Sequence, residues 1–182
     1  MRTAKRIVRV LLPVFLVEAW VVVAQKPQQD ERQSALGFVQ TFYDWYIAKA
    51  VPATSNTAPW HEALKNKGSS FSNELVQALM HSDVEAKQEG DPVLDFDPIL
   101  DSQDPSDHYV AKKAAEKNGH YWVEVYGVSS AKPLDRKKEP DVVAEVVSDD
   151  GHWKFVNFHY PGSKYPASEN LLSILRYRYH GK

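Results

Sequence analysis

Two short turns, Lys117-Asn118-Gly119-His120 and Asp149-Asp150-Gly151, constrain this chain more than any other feature. Asn-Gly and Asp-Gly accept the positive φ angles that a two-residue β-hairpin requires. Runs with period-2 patterning flank both turns: His108 to Glu116 and Tyr121 to Ser129 around the first, Asp141 to Ser148 and His152 to Tyr160 around the second. The pattern predicts four antiparallel strands in a meander. In the second run, Tyr121, Val123 and Val125 make a smooth face suited to helix packing, and Trp122, Glu124 and Tyr126 make a mixed face suited to lining a concavity. In the fourth run, simple alternation sets Trp153, Phe155, Asn157 and His159 against Lys154, Val156, Phe158 and Tyr160. Both sets are largely apolar, so this strand is expected at the centre of the sheet, covered on both faces.

Helices precede the strands. From Ser34 to Ala50, the residues Leu36, Phe38, Val39, Phe42, Trp45 and Tyr46 recur at three- and four-residue steps, with Ser34 as N-cap and Val51-Pro52 as the stop. Residues 52–70 read as a loop in which Trp60 and Leu64 pin a short turn. A second helix is expected from Phe71 to Gln88, ended by Gly90-Asp91-Pro92. A Pro- and Asp-rich connector, Asp95 to Asp107, leads into the strands, residues 130–140 form a basic loop, and Ser168 caps a last helix through Tyr179. The fold class is therefore α+β: N-terminal helices packed on an antiparallel sheet, with a C-terminal helix.

Residues 1–24 carry the layout of a removable secretory signal. Arg2, Lys5, Arg6 and Arg9 precede an apolar stretch from Val10 to Val23, and Val22-Val23-Ala24 stands before Gln25. The stretch is interrupted by Pro13 and Glu18 and is short of the roughly 20 apolar residues that a span needs. The reading is cleavage, no stable membrane span afterwards, a flexible lead-in over 25–33, one domain over 34–182, and a periplasmic or secreted location. The whole chain is −2, so the remainder after residue 24 is near −5 and has no general field for nucleic acid. The absence of cysteine excludes disulfides, thiolate metal sites and a cysteine nucleophile.

Candidate chemistry lies in three places. Asn157 and His159, together with Trp122, Glu124 and Tyr126, would form a pocket if the strands bring them together, with His159 as base and Glu124 as acid partner. The bland reading leaves His159 at a strand end and Glu124 in solvent. Tyr43 and Tyr46 exceed what one helical stripe needs and are expected at a cavity rim, or in the core with wet hydroxyls. Asp95, Asp97 and Asp104 would be ligands if the connector held a calcium or magnesium ion. Asp also caps turns through its own carboxylate, so the favoured reading is structural, with Gln103-Asp104 tying the connector to the sheet. The seven histidines form no HExxH or HxH pair, and only His120 and His152 suggest neighbours across the sheet edge. The basic loop from Lys132 to Lys138 and the tail from Arg176 to His180 read as solvated or protein-contacting surfaces.

Three segments in order, Phe38-Val39-Gln40-Thr41-Phe42-Tyr43-Asp44-Trp45-Tyr46, Asp95-Phe96-Asp97-Pro98-Ile99-Leu100 with Gln103-Asp104, and Gly151-His152-Trp153-Lys154-Phe155, resemble a bacterial family of exported domains of unknown function, which includes periplasmic proteins and lipoproteins. This chain lacks the lipoprotein cysteine. The resemblance implies similarity to the cystatin-like cone of the ketosteroid isomerase and nuclear transport factor class. That cone hosts enzymes, ligand binders and interaction domains alike, and the resemblance supplies no catalytic residues. The functional expectation is a non-enzymatic domain, monomeric or homodimeric and without a cofactor, that binds a small molecule or a protein. The alternatives are an immunity-type protein that neutralises a toxin and a cone-fold enzyme with an acid–base pocket.

Overall fold

Helix α1 (Gln25–Trp45), extended by a π-turn over Tyr46–Ala50, lies against one face of a four-stranded antiparallel sheet. The computed structural model describes residues 25–52, 58–90, 94–130, 139–162 and 170–180. Helices α2 (Pro59–Lys67) and α3 (Asn73–Glu89) follow, then strands β1 (His108–Lys117), β2 (His120–Val128), β3 (Val142–Asp149) and β4 (His152–His159), and helix α4 (Leu171–His180). Neighbours in sequence are neighbours in the sheet, in the order β1-β2-β3-β4. The fold is α+β, as the sequence predicts. Residues 1–24, the basic loop at 132–138 and the expected cap Ser168 lie outside the described residues.

Both hairpins form on the residues that signal them. Asn118 and Gly119 have φ of 56° and 78°, and Asp150 and Gly151 have φ of 50° and 77°. In β2, Tyr121, Val123 and Val125 face the helices and are buried, leaving Trp122, Glu124 and Tyr126 on the opposite face. From α1, Val39, Phe42, Tyr43 and Tyr46 enter the same core.

Several expectations are corrected. Residues 25–33 are helical rather than a flexible lead-in. Pro27 falls in the first turn, where its missing N–H has no intrahelical role. Two sheet contacts hold this end: Glu31 accepts the Tyr121 hydroxyl, and Ser34 is no cap but accepts from Trp153 Nε1 at 2.9 Å. The supposed loop contains α2, started by Pro59 at its first position and anchored by buried Trp60 and Ala63. The N-cap of α3 is Ser72, whose Oγ accepts from Leu75 N at 3.2 Å, and Gly90 closes the helix in the left-handed region with φ 79°. Asn170 caps α4, its Oδ1 accepting from Ser173 N at 3.0 Å.

Strand β4 departs furthest from simple alternation. It is the last strand of the sheet, not a central one, and its outer side carries short bridges to Phe71 and Asn170. Val146 pairs with Phe155, but Glu145 pairs with Asn157, so Val156 is an extra residue in a β-bulge. Parity inverts there. Trp153 and Phe155 face the helices with Phe158, whereas Asn157 and His159 fall on the opposite face with Glu145 and Val143. The apolar character of both sequence sets is thus the signature of a bulge. A second bulge at Lys112 separates Ala111, paired with Val125, from Lys113, paired with Glu124.

Gly127 shows how closely the connector meets the sheet. A Cβ there would stand 2.5 Å from Ser106 Oγ, 3.1 Å from Ser106 Cβ and 3.2 Å from Tyr109 Cε1. Overpacking of this kind costs about 1–3 kcal/mol. Gly127→Ala is expected to lower the urea midpoint correspondingly at unchanged m-value, and an unchanged midpoint would show that the connector yields freely.

Candidate functional site

The sheet face turned away from the helices is where polar and aromatic side chains converge. β2 presents His120, Trp122, Glu124 and Tyr126 to it, β3 presents Val143 and Glu145, and β4, beyond its bulge, presents Asn157 and His159. Antiparallel register sets Glu145 between Trp122 on one side and Asn157 on the other. The carboxylate then bridges two imidazoles: Oε1 lies 2.5 Å from His120 Nδ1, and Oε2 lies 2.7 Å from His159 Nε2. The His159 ring stacks on Trp122, centroids 4.1 Å apart and planes 29° apart, and Lys117 Nζ sits 5.7 Å from the Trp122 ring.

The Glu145 side chain retains only 13% exposure. Burial alone would push its carboxyl upward, but hydrogen bonds and charge from His159 and His120 outweigh that and hold it below the ordinary carboxylate range. A bridging carboxylate that stays charged orients both rings. With Nδ1 of His120 and Nε2 of His159 both facing the carboxylate, each ring is held in one orientation. The arrangement can serve as a rigid aromatic and charged contact surface, or it can hold His159 in one tautomer for proton transfer.

The sequence-predicted residues divide. Trp122 and His159 meet. Glu124 and Tyr126 meet each other, the Tyr126 hydroxyl donating to Oε2 at 3.0 Å, while Lys113 Nζ lies 3.0 Å from Oε1. Glu124 is not the partner of His159: Val143 pairs with each of them on its two sides and stands between. Asn157 is nearly buried and acts as a clasp. Its Nδ2 donates to Asn170 Oδ1 at 3.0 Å, and its Oδ1 accepts from Phe158 N at 3.0 Å and Leu172 N at 3.2 Å, tying α4 to β4.

Tyr43 and Tyr46 are core residues, at no cavity rim and with no wet hydroxyl. Tyr43 donates to Ile99 O and Tyr46 to Asp97 Oδ2, both at 2.7 Å. Burial drives both phenols well above the ordinary tyrosine range, and nearby Asp97 adds to it. Tyr160 donates to Pro98 O at 2.8 Å. Three tyrosine hydroxyls thus satisfy one buried turn of the connector. Of the candidate connector carboxylates, Asp97 serves that turn. Asp97 Oδ1 accepts from Ile99 N at 2.9 Å, while Asp95 and Asp104 are solvent-facing. Gln103 donates to Asp95 O, so Gln103 and Asp104 close the connector on itself rather than on the sheet. Among the described residues, no group of three or more His, Cys, Asp or Glu side chains is placed to hold a metal ion. His120 meets Glu145 rather than His152.

Glu145 is the residue that sequence reading misses. It is a lone carboxylate in a valine-rich strand, and its partners follow only from the β2-β3-β4 register and the bulge. No protein-family model matches the chain, and no curated protein or solved structure matches it.

Proposed function

We propose that the chain is an exported domain that binds a protein partner through the sheet face bearing Trp122, Glu145, His120 and His159. The supporting observation is the Trp122–His159 stack locked over Glu145. Large aromatic rings held in one orientation by buried charged partners are what protein interfaces use as anchors, because little side-chain entropy remains to be lost on binding. Export rests on the basic and apolar layout of residues 1–24. No helix among the described residues is long and apolar enough to cross a membrane. The resemblance to exported cone-fold domains favours a partner that is itself outside the cytoplasm, a toxin among the candidates, and the net acidity disfavours nucleic acid.

Native mass spectrometry of the protein purified from its source cell tests this. The expected result is a protein-sized adduct that Trp122→Ala weakens by about 30-fold, the scale of an interface anchor, and that Tyr177→Ala on α4 leaves intact. A small constant mass instead, or an adduct indifferent to Trp122→Ala, would defeat the reading. The 2.7 Å contact of His159 with Glu145 favours one second reading, a cone-class enzyme with His159 as general base. Full turnover of any substrate by His159→Ala would remove it.

A further inference from the structure

The bulge in β1 does more than bend an edge strand. The register steps there from Ala111, paired with Val125, to Lys113, paired with Glu124, so Lys112 is the extra residue. Alternation is suspended where two residues oppose one partner. Both lysines therefore reach the face turned away from the helices. Lys112 Nζ stands 5.1 Å from the Tyr126 ring, and Lys113 Nζ lies 3.0 Å from Glu124 Oε1. Beyond the bulge the alternation resumes. Ala115 pairs with Trp122 and Lys117 with His120 on that same face, while Glu116 turns with Tyr121 to the helix side. Lys117 Nζ lies 5.7 Å from the Trp122 ring. Three ammonium groups thus line one margin of the face that carries the Trp122–His159 stack.

Exposure decides which sign a partner meets there. The carboxylates are drawn in: the Glu145 side chain is 13% exposed and lies between two imidazoles, and that of Glu124 is 27% exposed and is held by Lys113 and the Tyr126 hydroxyl. The Lys113 side chain is 68% exposed, and Lys112 and Lys117 are exposed as well. Among the described residues, Lys112 and Lys117 rest on aromatic rings rather than on a carboxylate. Elsewhere on the rim the charges are already matched: Lys154 lies 2.6 Å from Asp149, and Asp141 accepts from Gly127 N at 2.6 Å. The chain as a whole is −2, so the lysine margin runs against the sign of the molecule. Lys113 and Lys117 stand four strand residues apart, about 13 Å. Between them lie exposed Ala115 and, opposite it, Trp122. An apolar centre between charged ends is the anatomy of an interface core with a polar rim. We propose that the partner of this face is an acidic protein segment, with carboxylates on Lys112 and Lys113 at one end and on Lys117 at the other, and an apolar side chain over Ala115 and Trp122. The inference rests on the partner-binding reading above and names the chemistry of what binds. A carboxylate arriving at Lys112 or Lys117 gains an ion pair without displacing one, and the lysine margin steers it in.

Two short synthetic peptides test this, both with leucines at the centre, one with aspartates at each end and the other with lysines. ¹⁵N-labelled protein expressed from the full sequence is titrated with each, following Trp122 Nε1–H and the amides of Lys113, Ala115 and Lys117. Saturable shifts with the aspartate peptide alone, weakening as salt rises, are the expected result. Lys112→Glu with Lys117→Glu should weaken that binding about tenfold or more. Lys112→Gln with Lys117→Gln removes the charges without adding repulsion and should weaken it less, which covers the case in which the reversed pair folds poorly. Lys65→Glu with Lys87→Glu makes the same change in net charge on α2 and α3 and should leave binding unchanged. Equal binding of both peptides, still lost in Trp122→Ala, would overturn the acidic assignment and leave the partner-binding face standing. The proposal also falls if neither peptide gives saturable shifts, if both Lys112 and Lys117 pairs of substitutions are without effect, or if a single-stranded oligonucleotide binds more tightly than the aspartate peptide. Failure of the partner-binding reading itself is read separately, from the native mass spectrum.

Discussion

Phe155→Ala should remove about 3–5 kcal/mol of stability, the usual cost of deleting a fully buried phenylalanine. Phe155 has no exposed surface. Its ring lies 4.7 Å from that of Phe42, 4.9 Å from Phe38, 5.2 Å from Phe158 and 5.5 Å from Phe71. These neighbours come from α1, from β4 itself and from the entry to α3, and the Phe155 carbonyl accepts from Ser72 N at 2.8 Å at that entry. One side chain therefore joins three parts of the core, and the rigid rings around it cannot collapse into the space it leaves. A domain of ordinary stability holds only about 5–15 kcal/mol in total. The expected outcome is a variant that is marginal at body temperature, measured by urea unfolding against the parent. Val156→Ala, one residue on at the bulge and only half-buried, is the control and should cost no more than about 1 kcal/mol. Equal losses at both positions would mean that β4 is covered on both faces and lacks this sidedness.

That sidedness marks where sequence reading stops. The meander, its two turns and the inward face of β2 were legible because each depends on local chemistry: positive φ at Asn118-Gly119 and Asp150-Gly151, and period-2 alternation in Tyr121-Val123-Val125. The bulge at Val156 is one unpaired residue with no composition of its own. Its trace was the apolarity of both alternating sets, which reads equally well as a strand covered on both faces. α2 was hidden because its nine residues bury only Trp60 and Ala63, too few to show a stripe, although Pro59 ahead of Trp60 is a fair start signal.

The candidate site was half legible for the same reason. Trp122 and His159 could be named from their strands, but choosing Glu145 over Glu124 needs the pairing of three strands at once. With the regular β4 assumed from sequence, His159 would have pointed into the core with Phe155. The surplus aromatics of α1 were visible and their purpose was not. Tyr43 and Tyr46 are hydroxylated because the buried connector turn exposes Ile99 O and the Asp97 carboxylate to them, and a buried acceptor needs a donor.

Asp97 gives the second large effect, one that changes with pH. Burial pushes its carboxyl from the ordinary value up to about 6, against the hydrogen bonds from Tyr46 and the Ile99 and Leu100 backbone, which pull it down. A carboxyl whose folded pKa is raised favours the folded state while protonated. Its contribution is complete below the ordinary value near 4 and is lost as pH rises through about 6. At 1.36 kcal/mol per unit, the full loss is about 3 kcal/mol, of which roughly half falls between pH 5 and pH 8. Asp97→Asn removes the titration, so the stability difference between parent and variant should shift by about 1–2 kcal/mol over that interval, the parent losing ground as pH rises. Tyr46→Phe acts in the opposite sense. Without its phenol donor the carboxylate loses a stabilising partner, the folded pKa climbs further, and the loss between pH 5 and pH 8 steepens. The same substitution should cost about 1–3 kcal/mol at pH 8, where the unpaired oxygen is charged, and less at pH 5, where it is neutral. Urea unfolding of the three proteins at the two pH values measures all of this. Groups that do not touch Asp97 or Tyr46 are the same in all three proteins and cancel in the differences. Parallel pH profiles for parent and Asp97→Asn would mean that Asp97 titrates as an ordinary exposed acid, and the tyrosine-clamped turn would lose its account as a buried carboxylate held by hydroxyl donors.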